Sequence, residues 1–367
     1  MKRFRIWTVP VFCFVTAASA CLNGVPRAGS AELMPLGTVP GRAQVVAWID
    51  NDSFAVGRLD GTLTLFRSSV STGTKAAPTL IQVLVPPARR ALEMIAPVSD
   101  TLFVSSNDEH SLAIWHKNGP AFAVGDVVGY DATYGIANSG TEVTTDQGAW
   151  LVTGHSEGYV LIWEVAADRI RLLKSLNVRS TNPIPSPYRL WNVRGIVPWK
   201  DCAVTGSEDG DICLIKIPSG AVLSRIRYDS SALRGINNLA ISGNYLLVAN
   251  CSVGKTDKNL WLYKITPNGF KLLDSVNLQY DRSLTQVFDF DVQLASTTNG
   301  IYFFASTQEG LLWWGTIQAD KLAYINHSKV DCDGGAAIAI EPLIDRLAVA
   351  AFDVGIYEFS STSPPHE

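Results

Sequence analysis

The chain has 367 residues, of which 47% are apolar and 17% are charged, and its net charge is −4. This balance excludes an intrinsically disordered chain and a charged coiled coil. A mildly acidic chain without a basic tract also argues against nucleic acid as a partner. At this length a single domain is expected only for an architecture that grows by adding units, such as a repeat or closed β fold.

The first twenty residues predict an export signal. Lys2, Arg3 and Arg5 form a basic region, residues 6–16 are apolar, and Ala18-Ser19-Ala20 supplies the small residues of a cleavage site. The apolar run is too short to span a bilayer comfortably. We therefore predict a signal peptide over 1–20 and an exported protein.

Cys21 directly follows the predicted cleavage site, so this segment also resembles a bacterial lipobox, in which the cysteine becomes lipidated and N-terminal. Ala18 departs from that motif, which prefers Leu or another larger aliphatic residue, and the alternative is a chance cysteine after a plain cleavage site. Leu22 stands where an Asp would resemble an inner-membrane retention signal. The expected location is the periplasm or outer membrane, with Cys21 as a lipid anchor and residues 21–30 as a tether.

From residue 31 onward, short apolar strands alternate with polar turns. In 150–163 two runs of strand-forming residues flank His155-Ser156-Glu157-Gly158, a pattern typical of a β-hairpin. Equivalent turns recur with a mean period of about 49 residues between Gly61 and Gly355. The seven turns are 59–61, 108–110, 156–158, 208–210, 256–258, 308–310 and 352–355. Units of this size with about four strands predict an all-β, seven-bladed β-propeller over 31–360.

The incomplete ends of the repeat region predict how the ring closes. The last repeat ends after its third strand, at Phe359, and residues 32–39 can form one strand before the first repeat. Pairing this N-terminal strand with the last blade completes the blade and removes an exposed edge. Residues 361–367 are then a tail, and the propeller is expected to be monomeric.

The strands that follow the turns resemble those of WD-repeat proteins, over nearly the whole chain from Ala31. Ile114-Trp115 and Ile162-Trp163 keep the tryptophan of the family's dipeptide, although neither is followed by Asp. Gly154-His155 lies in a hairpin turn, whereas the family has its Gly-His pair well upstream of the tryptophan. The resemblance implies a propeller, and it does not extend to the hydrogen-bonded network that this pair serves.

Alignment on the hairpins reveals an arginine near the start of the innermost strand in four blades. The four are Arg42, Arg90, Arg194 and Arg234. At the end of the propeller that holds the turns, their guanidinium groups would surround the mouth of the central channel. They would suit carboxylates or phosphates. Alternatively, each would pair with the acid of a neighbouring blade's turn and tie the blades together, which we favour.

The longest connection between repeats, residues 179–190, contains three prolines that favour an extended shape. Tyr188, Arg189 and Trp191 are residue types enriched at binding hot spots, so this segment is a second candidate partner-binding region. The alternative is a proline-rich spacer whose aromatic residues pack against a blade.

No catalytic constellation is found in the sequence. It has no nucleophile elbow, phosphate-binding loop or dinucleotide fingerprint. The five histidines lack metal-ligand spacing, and His110 and His155 are interpreted as solvated turn residues. Residues 207–210 resemble the Asp box of sialidases but lack its later Thr-Trp. We therefore expect no enzyme activity, no cofactor and no metal.

The cysteines of the fourth blade are expected as buried thiols. Counting from a two-residue turn places Cys202 and Cys213 diagonally on one face of a hairpin, wider than a disulfide prefers. The state of Cys251 and Cys332 is left open.

Together these patterns predict a non-enzymatic scaffold in the bacterial cell envelope, which presents a rigid propeller face to envelope proteins. Two alternatives remain open. One is a receptor or sensor for an anionic ligand at the Arg-lined channel mouth. The other is an envelope propeller enzyme, such as a lactonase or a quinone-dependent dehydrogenase.

Overall fold

Seven four-stranded antiparallel sheets make up the described part of the chain. The computed structural model describes residues 31–68, 78–86, 88–166, 169–181, 191–228, 235–250, 257–284, 287, 289–330, 337–340, 346–350 and 353–361. Within these ranges one 3-10 turn, Ala132–Tyr134, is the only helical element, and no helix is long and apolar enough to cross a membrane.

Each blade runs from an innermost to an outermost strand. Blade 1 contains β2 (Val45–Trp48), β3 (Ser53–Gly57), β4 (Leu63–Arg67) and β5 (Thr79–Leu84). Blade 2 contains β6 (Leu92–Ser99), β7 (Leu102–Asn107), β8 (Ser111–Asn118) and β9 (Ala121–Gly129). Blade 3 contains β10 (Ala137–Thr145), β11 (Gly148–His155), β12 (Tyr159–Ala166) and β13 (Arg169–Asn177). Blade 4 contains β14 (Val193–Trp199), β15 (Cys202–Ser207), β16 (Asp211–Lys216) and β17 (Ala221–Arg227).

The remaining three blades complete the ring. Blade 5 contains β18 (Ile236–Ser242), β19 (Tyr245–Asn250), β20 (Leu260–Thr266) and β21 (Gly269–Val276). Blade 6 contains β22 (Asp289–Thr297), β23 (Gly300–Thr307), β24 (Leu311–Gln318) and β25 (Lys321–Lys329). Blade 7 contains β26 (Ala337–Ile340), β27 (Arg346–Ala350), β28 (Val354–Ser361) and, as its outermost strand, β1 (Ala31–Val39).

The ring closes through the N-terminal strand, as the sequence predicts. β1 pairs antiparallel with β28, from Ala31 opposite Ser361 to Val39 opposite Val354. Each innermost strand contacts the innermost strands of both neighbouring blades, and the contact between β26 and β2 closes this circle. The all-β, seven-bladed β-propeller is therefore confirmed.

The hydrophobic cores lie between the blades. Seven clusters of buried side chains occur, one for each pair of neighbouring blades, including the pair formed by blades 7 and 1. The middle strands of each blade supply most of these residues, because both faces of a middle strand are covered by a neighbouring blade. A blade therefore has no complete core alone, and the ring is stabilised as one unit.

The turn in blade 4 is one residue longer than expected, which reverses the placement of one cysteine. Gly206 pairs with Ile212, which places Ser207 opposite Asp211 and leaves residues 208–210 as a turn of three residues. Gly210 in this turn has a φ of 90°. A shift of one residue moves a side chain to the opposite face. Cys202 therefore packs between blades 4 and 5 and Cys213 between blades 3 and 4, and the expected diagonal contact is wrong. Both are buried free thiols, as expected.

Candidate functional site at the top of the propeller

In the described part of the chain, the turns between second and third strands lie at one end of the ring, which we call the top face. Antiparallel pairing places the start of each innermost strand beside the turn of its own blade. In blade 4, Val193 pairs with Ser207, the residue before the turn. In blade 2, Leu92 pairs with Asn107 in the same way. Arg194 and Arg90 therefore lie at the channel mouth, and Arg42 is exposed in the segment before β2.

Two arginines of the mouth, Arg90 and Arg194, pair with acids of their own blades. Arg90 Nε lies 2.5 Å from Glu109 Oε1, and Arg194 Nε donates to the carboxylate of Glu208. The expectation that each arginine pairs with a neighbouring blade's turn is wrong for these two residues, because strand register brings their own turns closest. Four other predicted residues lie outside the described ranges: Cys21, Tyr188, Arg189 and Arg234.

Neighbouring blades meet at the top face through close backbone approach. A Cβ added to Gly61, in the turn of blade 1, would lie 2.6 Å from the backbone nitrogen of Arg90. A Cβ added to Gly235, before β18, would overlap the backbone of Glu208 in the turn of blade 4. Glycine is thus required where a turn packs against the segment that leads into the next blade.

β-bulges near the start of the innermost strands direct side chains toward the mouth. The register shifts at equivalent places in blades 2, 3, 4 and 5, so that one residue of each innermost strand has no residue opposite it in the second strand. These residues are Glu93, Asn138, Arg194 and Asn237. A bulge re-aims the side chain that it carries, and nothing in the alternation of apolar and polar residues signals it.

The described charges at the mouth are mixed. Burial raises the pKa of Glu93, and the charge of Asp108 adds to this, whereas a hydrogen bond from Gln44 and the charge of Arg194 oppose it. Glu93 and Arg194 therefore interact although blade 3 separates their blades. Asp108 Oδ1 and Glu208 Oε2 are buried without a hydrogen-bond partner. Among the described residues, the arginines do not form a simple positive ring.

A cluster of aromatic and charged side chains lies beside the mouth, between blades 3 and 4. The guanidinium of Arg179 lies 4.3 Å from the ring centroid of Trp191 and 5.6 Å from that of Tyr159. Its Nη2 lies 3.0 Å from Glu157 Oε2. Tyr134 extends the cluster, with its ring 5.0 Å from that of Tyr159. We call these five residues the Arg179 cluster.

The Arg179 cluster was only partly predictable. Trp191 was a candidate from its residue type, and it is half-buried against blade 3. Arg179 lies outside the spacing that revealed the other arginines. Its position could have indicated it, because Arg179 closely follows the last strand of blade 3 and begins the connection that leads to Trp191.

His155 is a buried structural residue, so its interpretation as a solvated turn residue is wrong. The turn begins one residue later than expected, which leaves His155 as the last residue of β11. Its Nε2 lies 2.8 Å from Thr153 Oγ1, and its Nδ1 lies 3.1 Å from the carbonyl oxygen of Gly135. Trp163 Nε1 donates to the same threonine at 2.8 Å. Burial lowers the pKa of His155 to about 4.

The tryptophan part of this network recurs in other blades. Trp115 Nε1 donates to Ser105 Oγ at 2.9 Å, and Trp261 Nε1 donates to Asn250 Oδ1 at 2.8 Å. The acceptor is each time two residues beyond the strand partner of the tryptophan. A WD-like link between third and second strands is thus present without the family's upstream Gly-His pair.

The segment that resembles an Asp box is a structural turn. Asp209 is buried and accepts hydrogen bonds from Ser207 Oγ and from the backbone nitrogen of Ser180, the latter at 2.6 Å. Asp211 pairs with Arg225 at 2.9 Å and also with Arg227. The contacts of these acids are internal, and the arrangement gives no reason to assign chemistry to the turn.

Asp291 joins three blades from the innermost strand of blade 6. Its Oδ2 accepts from the backbone nitrogen of Ile338 in blade 7 at 2.6 Å. Its Oδ1 accepts from the amide of Asn238 in blade 5 and from its neighbour Val292. Burial raises the pKa of Asp291 to about 7, although these three donors oppose the shift. Polar residues of the innermost strands, rather than the arginines, make these ties.

This carboxyl group predicts a pH-dependent stability. A folded-state pKa of about 7 exceeds the ordinary value of 3.8, so the native state retains the proton longer. The resulting stabilisation is complete below pH 3.8 and is lost as the pH rises through 7, by roughly 4 kcal/mol. Denaturant unfolding at several pH values should show this fall in the wild type. Asp291→Asn should show a flatter profile, and parallel profiles would contradict the assignment.

Comparisons with known proteins identify a fold. No protein-family model matches the chain, and no curated protein matches it. Among solved structures, the β-propeller domain of Cps50 (Swd1) from Myceliophteria thermophila aligns with a TM-score of 0.66 at 13% identity. The alignment covers 90% of this chain and all of that domain. The similarity is one of fold. Among the described residues, no group of three or more potential ligands could hold a metal ion.

Proposed function

We propose that the protein is a non-enzymatic interaction scaffold that binds partner proteins with its top face, chiefly through the Arg179 cluster. The observation that carries this is the half-buried Trp191, held by Arg179 between two rigid blades. Arginine and tryptophan are the residue types that dominate binding energy at protein interfaces. A side chain fixed in place before binding also loses less conformational entropy when a partner arrives.

The paired arginines of the mouth support this proposal over an anion receptor. Arg90 and Arg194 each already contact a carboxylate. An anionic ligand would have to displace Glu109 or Glu208, or bind beside two further acids, Glu93 and Asp108. The net electrostatic gain would be small. A partner protein can instead use the surface as it stands, with its mixed charges and its aromatic rings.

The test is capture of partners from cells after mild crosslinking. Arg179→Ala combined with Trp191→Ala should lower the recovery of specific partners by tenfold or more, about the loss expected of a hot spot. The matched control is Trp150→Ala, which removes a half-buried tryptophan that bonds Thr145 at the opposite end of blade 3. Equal recovery by both variants, with unchanged folding, would overturn the proposal.

We propose further that the scaffold works in the bacterial envelope and is held there by a lipid on Cys21. This rests on the export signal of residues 1–20 and on the cysteine after it, all of which lie outside the described residues. Cys21→Ala should move the protein from the membrane fraction to the soluble fraction of lysed cells. A Cys21→Ala protein that stays as membrane-bound as the wild type would refute the anchor.

A further inference from the structure

The outermost strands carry a repeat of exposed apolar residues. In five blades the register of the outermost strand is interrupted near its middle, and a pair of apolar residues lies at the interruption. We call these pairs the rim doublets. They are Leu80-Ile81, Leu172-Leu173, Val222-Leu223, Leu272-Leu273 and Tyr324-Ile325. A bulge interrupts the alternation of side chains between the two faces of a strand, so two consecutive side chains can both be exposed.

The rim doublets contribute little to the core. Ile81 and Leu273 pack partly against inter-blade clusters. The other members are between 37% and 54% exposed, and Leu223 and Tyr324 are the most exposed at 54% each. Scattered exposed leucines need no explanation, but exposed apolar pairs at one repeated register position indicate an interaction surface.

Four rim doublets lie on consecutive blades. β17 contacts β21, and β21 contacts β25, so the doublets of blades 4, 5 and 6 are neighbours. Lys174 of β13 donates to the carbonyl oxygen of Ser219, just before β17, which joins blade 3 to the same surface. We call the outermost strands of blades 3 to 6 the rim band.

The rim band is basic on a protein that is acidic overall. Its four strands contain eight basic residues and one acidic residue. The outermost strands of blades 7, 1 and 2 contain two acidic residues and no basic one. Arg171 and Lys271 directly precede doublets, and Lys174 directly follows one. In the described ranges Arg169, Lys271 and Lys329 are exposed, and no ion pair involves them.

We propose that the rim band binds the surface of an anionic lipid bilayer through two neighbouring blades at a time, because the outermost strands of successive blades in a ring of seven face directions about 51° apart. Exposed apolar side chains with lysine and arginine beside them are what such a surface attracts, through shallow insertion and charge. Long basic side chains can reach the headgroups while their stems cover apolar surface, and tyrosine suits the interface. β1, which follows the proposed Cys21 tether, is the outermost strand of blade 7, the neighbour of blade 6 in the rim band. This last argument rests on the proposed anchoring, whereas the charge and exposure of the rim band do not.

The test measures vesicle binding by protein that lacks the proposed lipid anchor on Cys21. Cys21→Ser protein, purified after export, should sediment with phosphatidylcholine vesicles that contain about 30% phosphatidylglycerol. The affinity for vesicles of phosphatidylcholine alone should be lower by about tenfold or more. Leu223→Ser, Leu272→Ser and Tyr324→Asn together should lower binding about tenfold or more. Asparagine is chosen because Tyr324 has a φ of 51°. Arg169→Glu, Lys271→Glu and Lys329→Glu together should lower it by roughly fivefold or more.

The matched control removes as much exposed apolar surface at an outermost strand that contains no basic residue. Leu80→Ser, Val83→Ser and Val85→Ser in blade 1 replace side chains that are 51%, 52% and 60% exposed, and in the Cys21→Ser background this variant should bind as the Cys21→Ser parent does. No binding by the Cys21→Ser parent, or equal loss in the control, would overturn the proposal. Self-association that the blade 4–6 variant abolishes would overturn it in favour of a second copy. Trp191→Ala should bind vesicles normally, which separates this proposal from the top-face function.

Discussion

Replacement of Gly235 by alanine is expected to lower the free energy of unfolding by about 3 kcal/mol, the upper end for overpacking. A Cβ at this position would overlap the backbone of Glu208 in the turn of the preceding blade. A side chain could rotate away from such an overlap, but a turn held by Gly210 and by its own strand register cannot. The strain would therefore separate blades 4 and 5. Denaturant unfolding would measure the loss.

Gly129→Ala is the matched control for this prediction. Gly129 ends β9, has no atom within 4 Å of an added Cβ, and does not have a left-handed backbone conformation. Its replacement should change stability by no more than about 0.5 kcal/mol. If Gly235→Ala is as stable as this control, turns do not pack against the lead segments of the next blades in the way described.

Trp163→Ala is expected to cost about 4 kcal/mol, the usual range for a large aromatic residue in a core. The side chain is fully buried between blades 2 and 3, and its Nε1 donates to Thr153. Truncation would leave a cavity and remove one of the two bonds that hold the Thr153 hydroxyl. Thermal or denaturant unfolding should show the loss.

Two variants separate the cavity from the hydrogen bond. Trp163→Phe keeps most of the ring and loses the donor, so it should cost only about 1–2 kcal/mol. Trp191→Ala removes a half-buried tryptophan of the top face and should cost about 1 kcal/mol or less. An equal loss for Trp163→Ala and Trp191→Ala would contradict the distinction between a structural and a surface tryptophan.

The blade count and the ring closure were predictable because they depend on many residues at once. Seven turns at a regular spacing, each between strand-forming runs, determine the number of blades even if one boundary is wrong. The incomplete last repeat and the single strand before the first repeat then leave one way to pair β1 with β28. Errors of one residue at any turn do not change this result.

The errors arose where one residue of register decides the outcome. A turn of three residues instead of two placed Cys202 and Cys213 on opposite faces of blade 4. The later start of the turn in blade 3 buried His155 instead of exposing it. Turn length depends on the local backbone conformation, such as a positive φ at Gly210 or Gly158, which composition indicates but does not fix.

The candidate site was predictable in place but not in its contacts. The sequence spacing predicted that Arg90 and Arg194 lie at the channel mouth, because equivalent positions in repeats take equivalent places in the ring. It did not predict their partners, since the sequence places an acid in the turn of each arginine's own blade and in those of the neighbouring blades, and only register distinguishes them. Arg179 and the rim doublets were missed because the hairpin motif covers only the second and third strands of each blade. Arg179 follows an outermost strand, and the rim doublets lie at bulges within outermost strands.

Partner binding at the top face is tested most directly by crosslinking at single positions in living cells. A photoreactive amino acid would replace Ala132 or Arg42, which are exposed on the top face, and Gln147 or Asn299 in turns at the opposite end of the ring. The account predicts covalent adducts with a small set of proteins at the two top-face positions and none at the other two. Adducts of equal yield at both ends, or none at Ala132 and Arg42 in a folded and correctly located protein, would contradict it.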